Sequence, residues 1–403
     1  MRNHIAFLQT PSRSPSVRSP IRPPHRPSVC RARDFKFETD SHVADWCIHC
    51  CLSLRFYAVA GEGLHSVVRQ MANSADKSTR DPCVVGVVCM DIASALYEHS
   101  ADPKPASYIA ASYVKYLEAG GGLVVPIWIG RDRNYYELMM SRINGVLLTG
   151  GAVYLDDEDN PAAVPSWMTN DCVKSIQYIY ELALQRNKAN KYFPIWATCL
   201  GFQLMLKNAV PSMKRAACGE TISRALSLQP TEDYDSSPMF QGLSPELRTR
   251  LQSEPFACYQ HKYCITEESL GAAASDWRVL ATGRARSGVS FITLIEHRKY
   301  PLYGCQFHPE RSAYDQLVGR QDPWTESHTK HGIQLNQHFA HFFVEACRRN
   351  SNRFDSLEQL SRHLIYNWMP EFSGRHNNVN WLQVYLFPKD VDYVKKAEEC
   401  SET

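Results

Sequence analysis

Two periodicities alternate along this chain from Asp81 onward. Short, nearly continuous apolar runs of strand length recur at Val84–Cys89 (VVGVVC), Leu123–Ile129, Gly145–Leu148, Phe193–Ala197 and Pro301–Phe307. Between them lie stretches whose apolar positions share one helical face. These are Tyr108–Glu118, closed by Gly120-Gly121-Gly122, then Val173–Gln185, then Ile333–Arg349 with Phe339, Phe342 and Phe343 on its apolar side. Uninterrupted apolar strands are those buried on both faces, and strands alternating with helices build a parallel sheet covered on both sides. The expected fold is therefore α/β, a three-layer sandwich around a mostly parallel sheet. Reactive groups of such a sheet sit at the carboxyl ends of its strands. The pattern continues through Leu357–Tyr366 and a Trp/Tyr-bearing stretch to about Leu386, with no linker and no internal repeat. Residues 81–387 read as one domain.

The flanks differ in kind. Residues 1–36 are rich in Arg, Pro and Ser, as in RSPSVRSPIRPPHRP, and such composition cannot bury enough apolar surface to offset ordering entropy. A disordered extension is expected there, and a polar tail over 388–403. Residues 37–80 form an uncertain lead segment. The stretch Trp46–Ala60 ends in the small-residue pattern Ala58-Val59-Ala60 of a secretory signal, but Arg55 interrupts it and it lies far from Met1. Trp46-Cys47-Ile48-His49-Cys50-Cys51 looks like half a zinc site without a second Cys/His pair at finger spacing, so unpaired thiols are expected instead.

Bulk properties add little. Hydrophobic residues make up 44% and charged residues 21%, and the net charge of +2 gives no case for nucleic-acid binding. No apolar run reaches the length of a membrane span. The 14 cysteines are scattered, without the spacing of a small disulfide scaffold. No metal or cofactor is called for.

Candidate chemistry concentrates in Ile195-Trp196-Ala197-Thr198-Cys199-Leu200-Gly201-Phe202-Gln203. A strand turning sharply into a helix would hold Cys199 at the corner, beside the free N–H groups and positive end of the helix, which favour a thiolate and a developing oxyanion. A base is offered by Tyr303-Gly304-Cys305-Gln306-Phe307-His308-Pro309-Glu310, where a strand leaves the sheet. His308 and Glu310 are spaced i, i+2 and point the same way in extended chain, and a carboxylate beside an imidazole fixes its tautomer. Cys199, His308 and Glu310 thus make a candidate acyl-transfer triad. Leu147-Leu148-Thr149-Gly150-Gly151 ends another strand, and the N–H of Gly150 or Gly151, with that of Leu200, would form an oxyanion site.

These stretches resemble the γ-glutamyl hydrolases, cysteine hydrolases related to the class I glutamine amidotransferases. The resemblance rests on YIAASYVKYLEAGG (108–121), INGVLLTGG (143–151), FPIWATCLGFQ (193–203) and YGCQFHPER (303–311), and extends through HFAHFFVEA (338–346) and QVYLF (383–387). It implies a class I glutamine amidotransferase-like fold, with Cys199 as nucleophile, His308 as base and Glu310 orienting it. It also implies folylpoly-γ-glutamates or other γ-glutamyl peptides as substrate, a lysosomal or secreted location, and an oligomeric state left open, a homodimer included. Ala197 stands where the family commonly has Gly, a methyl tolerated only in extended backbone. Phe307 stands where Trp is frequent and reads as a pocket-wall exchange. The family has a His-Lys pair matching His261-Lys262, placed here in a polar loop, which makes His261 a substrate-contact candidate.

Arg311 is a second substrate-contact candidate, since guanidinium pairs with carboxylates, although it reads equally as a surface residue. Gln203 reads as structural, and Cys89, Cys258 and Cys305 as apolar core fillers. Two other functions fit the same elbow: a glutaminase subunit passing ammonia to a synthase, and a catalytically silent binding protein of this fold.

Overall fold

Val84–Val88 is buried at every position, and its alternation divides the molecule in two. Val85 and Val87 point into one core with Val114, Leu117, Leu335, Phe339 and Phe343. Val84 and Val88 point into another with Tyr136, Met140, Ile176, Leu204 and Met205. One sheet with an apolar core on each face is what a both-sides-buried strand demands. The computed structural model describes residues 82–155, 165–317, 322 and 324–395, with backbone only for 219–221. The expectations for 1–80, including the half zinc site and the signal-like stretch, lie outside the described residues.

In chain order the strands are β1 (Val84–Val88), β2 (Met90–Asp91), β3 (Ser107–Ala110), β4 (Leu123–Ile127), β5 (Gly145–Leu148), β6 (Ile195–Thr198) and β7 (Ala216–Leu226). They continue as β8 (Gln229–Pro230), β9 (Ala257–Cys264), β10 (Trp277–Arg284), β11 (Ser290–His297), β12 (Leu302–Cys305), β13 (Glu371–Phe372) and β14 (Gln383–Phe387). The helices are α1 (Ser94–His99), α2 (Ala111–Ala119), α3 (Arg133–Arg142), α4 (Asp171–Lys188), α5 (Leu200–Ala209), α6 (Pro245–Ser253), α7 (Arg311–Tyr314), α8 (Lys330–Arg348) and α9 (Leu357–His363).

The main sheet has the order β4-β1-β5-β6-β12-β11-β10-β8. From β4 to β12 every pairing is parallel, and β11, β10 and β8 add an antiparallel edge. Helices α2 and α8 cover one face, while α3, α4 and α5 cover the other. Helix α8 illustrates why: Thr329 caps it by accepting the Gly332 N–H at 2.9 Å, and Leu335, Phe339 and Phe343 repeat every four residues into the core. Burial stabilises each phenylalanine by about 1.5–3 kcal/mol. The register pairs Ala197 with Leu148 on one side and Gly304 on the other. That alignment brings the ends of β5, β6 and β12 to one level, and all three segments singled out in the sequence leave the sheet there.

Two smaller sheets depart from the sequence reading. Tyr108–Glu118 is not one helix: Ser107–Ala110 is strand, paired with β14 and β2, and the helix begins at Ala111. The tail expected from 388 stays packed to Tyr393, whose hydroxyl donates to the Pro126 carbonyl at 2.6 Å and meets Tyr135 Oη at 2.7 Å. The third sheet pairs β7 with β9, with a bulge between Ala217 and Ile222. A disulfide between Cys218 and Cys264 ties these strands, with a Cα–Cα distance of 6.1 Å. Among the described residues no helix is long and apolar enough to cross a membrane.

Candidate active site

Cys199 stands between β6 and α5 with φ 51° and ψ −110°, a conformation that L side chains rarely adopt and that costs about 1–3 kcal/mol. Its neighbours hold it there. The Cys199 N–H donates to the Cys305 carbonyl at 2.8 Å, and its own carbonyl accepts from Gln203 N–H at 3.0 Å. Two residues on, Gly201 N–H reaches the Thr149 carbonyl at 3.1 Å. A Cβ on Gly201 would lie 2.5 Å from the Leu148 carbonyl oxygen, so the elbow closes only because that residue has no side chain. The strain sits at Cys199 itself. Ala197, two residues earlier, is ordinary buried strand with negative φ, and its methyl fits.

His308 and Glu310 follow β12 and reach the same place. The His308 N–H donates to the Cys258 carbonyl at 2.7 Å, which fixes the loop against β9. Its Nδ1 lies 2.7 Å from Glu310 Oε1, in a pair almost wholly buried, and this leaves Nε2 for Cys199. Burial by itself would lower the His308 pKa. The Glu310 carboxylate and the Cys199 sulfur outweigh it and raise the value to about 9.

The two glycines after β5 divide. Gly150 N–H donates to Tyr113 Oη at 2.7 Å, so this glycine, expected as an oxyanion donor, has its N–H already occupied. Its role is steric: a Cβ there would meet His308 Cε1 at 2.8 Å and Cys199 Cβ at 3.1 Å. Gly151 N–H and Leu200 N–H, the latter in the first turn of α5, have no acceptor among the described residues. Tyr113 lies within the 108–121 stretch but nothing in the sequence marked it out. Its hydroxyl is 3.4 Å from His308 Nδ1, and burial pushes the phenol well above its usual pKa, so it is neutral.

A cavity of about 430 Å³ opens over these groups, lined by Cys199, Leu200, Gly150, Gly151 and His308, and by Gln203, Arg215, His261, Lys262 and Arg311. Among the described residues no Asp or Glu lines it. His261 is not in a loop but in β9, because that strand keeps Gln260 and Lys262 less buried while His261 turns inward. Its Nδ1 bonds the Tyr263 carbonyl at 3.0 Å, and its Nε2 is buried with no partner among the described residues. Burial lowers its pKa to about 4, against a smaller raising effect of that carbonyl. Arg311 is not a surface residue. It is 1% exposed, its guanidinium lies 4.4 Å from the Trp324 ring centroid, and Nη1 donates to the Asn380 carbonyl at 2.9 Å. Phe307 does not form pocket wall either; it packs in the core against Phe256, Tyr259 and Phe339.

Cys218, His261 and Cys264 are the one His/Cys/Asp/Glu group of metal-ligand proximity among the described residues. With both sulfurs joined in the disulfide, no thiolate is left there for an ion. Gln306, which the sequence reading passed over, donates from Nε2 to Cys199 Sγ at 3.6 Å.

A cysteine on a strained strand–helix elbow beside a His–Glu pair defines a cysteine hydrolase of α/β type, and the comparisons agree. The Peptidase C26 family profile matches residues 83–310, and the chain belongs to that family. Its relatives there are γ-glutamyl hydrolases. The human γ-glutamyl hydrolase is 31% identical over 286 residues, covering 70% of this chain and 83% of the human one. γ-Glutamyl hydrolase 1 of Arabidopsis thaliana is 31% identical over 291 residues, 70% of this chain and 76% of that protein. γ-Glutamyl hydrolase B of Dictyostelium discoideum is 28% identical over 315 residues, 77% and 85% respectively.

Proposed function

We propose that this protein hydrolyses γ-glutamyl bonds through a γ-glutamyl thioester on Cys199. The observation that carries the reading is the meeting of the strained Cys199 elbow with His308, backed by the buried Glu310, at one cavity. His308 Nε2 takes the Cys199 proton, and the sulfur attacks the γ-carbonyl carbon. The tetrahedral oxyanion lies toward Leu200 N–H and Gly151 N–H, which have no acceptor among the described residues. The C–N bond breaks as His308 gives its proton to the leaving amine. Water then attacks the thioester with His308 as base, and the sulfur leaves. Glu310 holds the imidazole in one tautomer and stabilises its cation.

The cavity suits an anionic glutamyl chain. Arg215, Lys262 and Arg311 line it, and among the described residues no Asp or Glu does. His261 is neutral near pH 7, and its unpartnered Nε2 is an acceptor for the α-ammonium of the γ-glutamyl residue. Folylpoly-γ-glutamates are the proposed substrates, and a lysosomal or secreted location the proposed setting, both by likeness to the γ-glutamyl hydrolases. The test is product analysis on a defined folate polyglutamate with wild type and Cys199→Ala. Turnover is expected to fall about a thousandfold or more in the variant. Retained cleavage would remove Cys199 from the chemistry.

A further inference from the structure

We propose that Gln306 is a catalytic residue: its side-chain N–H is the fixed hydrogen-bond donor to the Cys199 sulfur, held in the donating orientation by Gln203 and Arg215. The proposal rests on the assignment of Cys199 as nucleophile.

The orientation follows from what each group can do. Arginine has no acceptor, so the Gln203 atom 3.1 Å from Arg215 Nη1 is the amide oxygen. Gln203 Nε2 therefore faces the other way, donating to the Tyr263 carbonyl at 2.8 Å and to Gln306 Oε1 at 2.9 Å. The Tyr263 carbonyl, which can only accept, demands the same orientation independently. Gln306 Oε1 is thus committed to accepting from Gln203, and Gln306 Nε2 is left pointing at Cys199 Sγ at 3.6 Å. Turning the Gln306 amide over would set two NH2 groups against each other and its oxygen against the sulfur. Gln306 is wholly buried and Gln203 is 3% exposed, so no water stands in for a lost bond without rearrangement.

The chemistry needs such a donor at two moments. As a thiol, Cys199 has an acceptor within reach, the Gln260 carbonyl at 3.7 Å. As a thiolate it can only accept, and its donors are His308 and Gln306. His308 changes protonation during turnover, while the Gln306 amide does not. It stays on the sulfur when the thiolate forms and again when the thioester C–S bond breaks and the electron pair returns to sulfur. Gln203 and Arg215 act through Gln306 and are positioning residues.

The test measures alkylation of Cys199 by iodoacetamide in the full chain, followed on the Cys199 peptide by mass spectrometry, alongside kcat and KM on a γ-glutamyl peptide. Gln306→Leu is expected to slow alkylation near pH 7 by about ten- to hundredfold, the worth of a hydrogen bond to a charged group, and to lower kcat with KM little changed. Gln203→Glu leaves the sulfur's surroundings in place but removes the donor to Gln306 Oε1. The Gln306 amide then turns its N–H toward the new carboxylate, and the same slowing is expected. If Gln306→Leu does not fold, Gln203→Glu alone decides. Alkylation within twofold of wild type in a folded variant would overturn the proposal. Full γ-glutamyl hydrolysis by Cys199→Ala would instead overturn the nucleophile assignment, so the two failures are distinct.

Discussion

Tyr113 Oη accepts the Gly150 N–H at 2.7 Å and lies 3.4 Å from His308 Nδ1. One hydroxyl from α2 thereby ties the end of β5 to the imidazole after β12. This is why only Gly151, and not Gly150, has a backbone donor to offer a substrate oxygen. Tyr113→Phe should leave Gly150 N–H buried without a partner, at a cost of about 1–3 kcal/mol in urea unfolding. Turnover should fall as well, because the glycine turn and His308 lose their common support, yet by much less than in Cys199→Ala. An unchanged unfolding midpoint would mean that the bond contributes nothing.

Glu310 sets the charge state of His308. Burial is the largest influence on that imidazole and acts to lower its pKa, so the value of about 9 depends on the carboxylate and the sulfur. Glu310→Gln should bring the His308 titration down, read from its ring resonances by NMR. Turnover should drop about 10²–10⁴-fold as the imidazole loses its orienting partner. A His308 titration that stays near 9 in the variant would assign the shift to Cys199 alone.

Gly201→Ala puts a methyl 2.5 Å from the Leu148 carbonyl oxygen and 2.7 Å from that of Thr149. The elbow must open to admit it, which should cost about 1–3 kcal/mol of stability. Leu200 N–H moves with it, so kcat should fall more than KM rises. Measuring both in the same preparation separates the damage to the fold from the damage to the oxyanion site.

Two buried histidines pull the pH dependence of stability in opposite directions. The folded pKa of His308, about 9, is raised above 6.5, so its contribution is full below about pH 6.5 and is lost as pH rises through about 9. The folded pKa of His261, about 4, is depressed, so the fold loses stability as pH falls from 6.5 toward 4. Each amounts to about 3 kcal/mol at 1.36 kcal/mol per unit. His308→Gln should flatten the alkaline side of the unfolding free energy against pH, and His261→Gln the acid side. Denaturant titrations at several pH values check both, and an unaltered slope in either variant would refute its share.

The three-layer α/β plan and the places of Cys199, His308 and Glu310 were legible in the sequence, since they depend on local rules. Buried strands are short apolar runs, and a cysteine between strand and helix, or a His-x-Glu at a strand end, has its direction set within a few residues. What the tertiary structure decided were the groups whose meaning comes from partners far along the chain. Gly150 lost its donor to Tyr113, 37 residues away. Arg311 went inside because Trp324, Trp381 and the Asn380 carbonyl receive it. His261 became an inward strand residue through pairing with Ile222 across a bulge. Gln306 gained its direction only through Gln203, Tyr263 and Arg215. An amide or a hydroxyl can both donate and accept, so its identity in a sequence leaves its use undetermined until the neighbouring donors and acceptors are fixed in space.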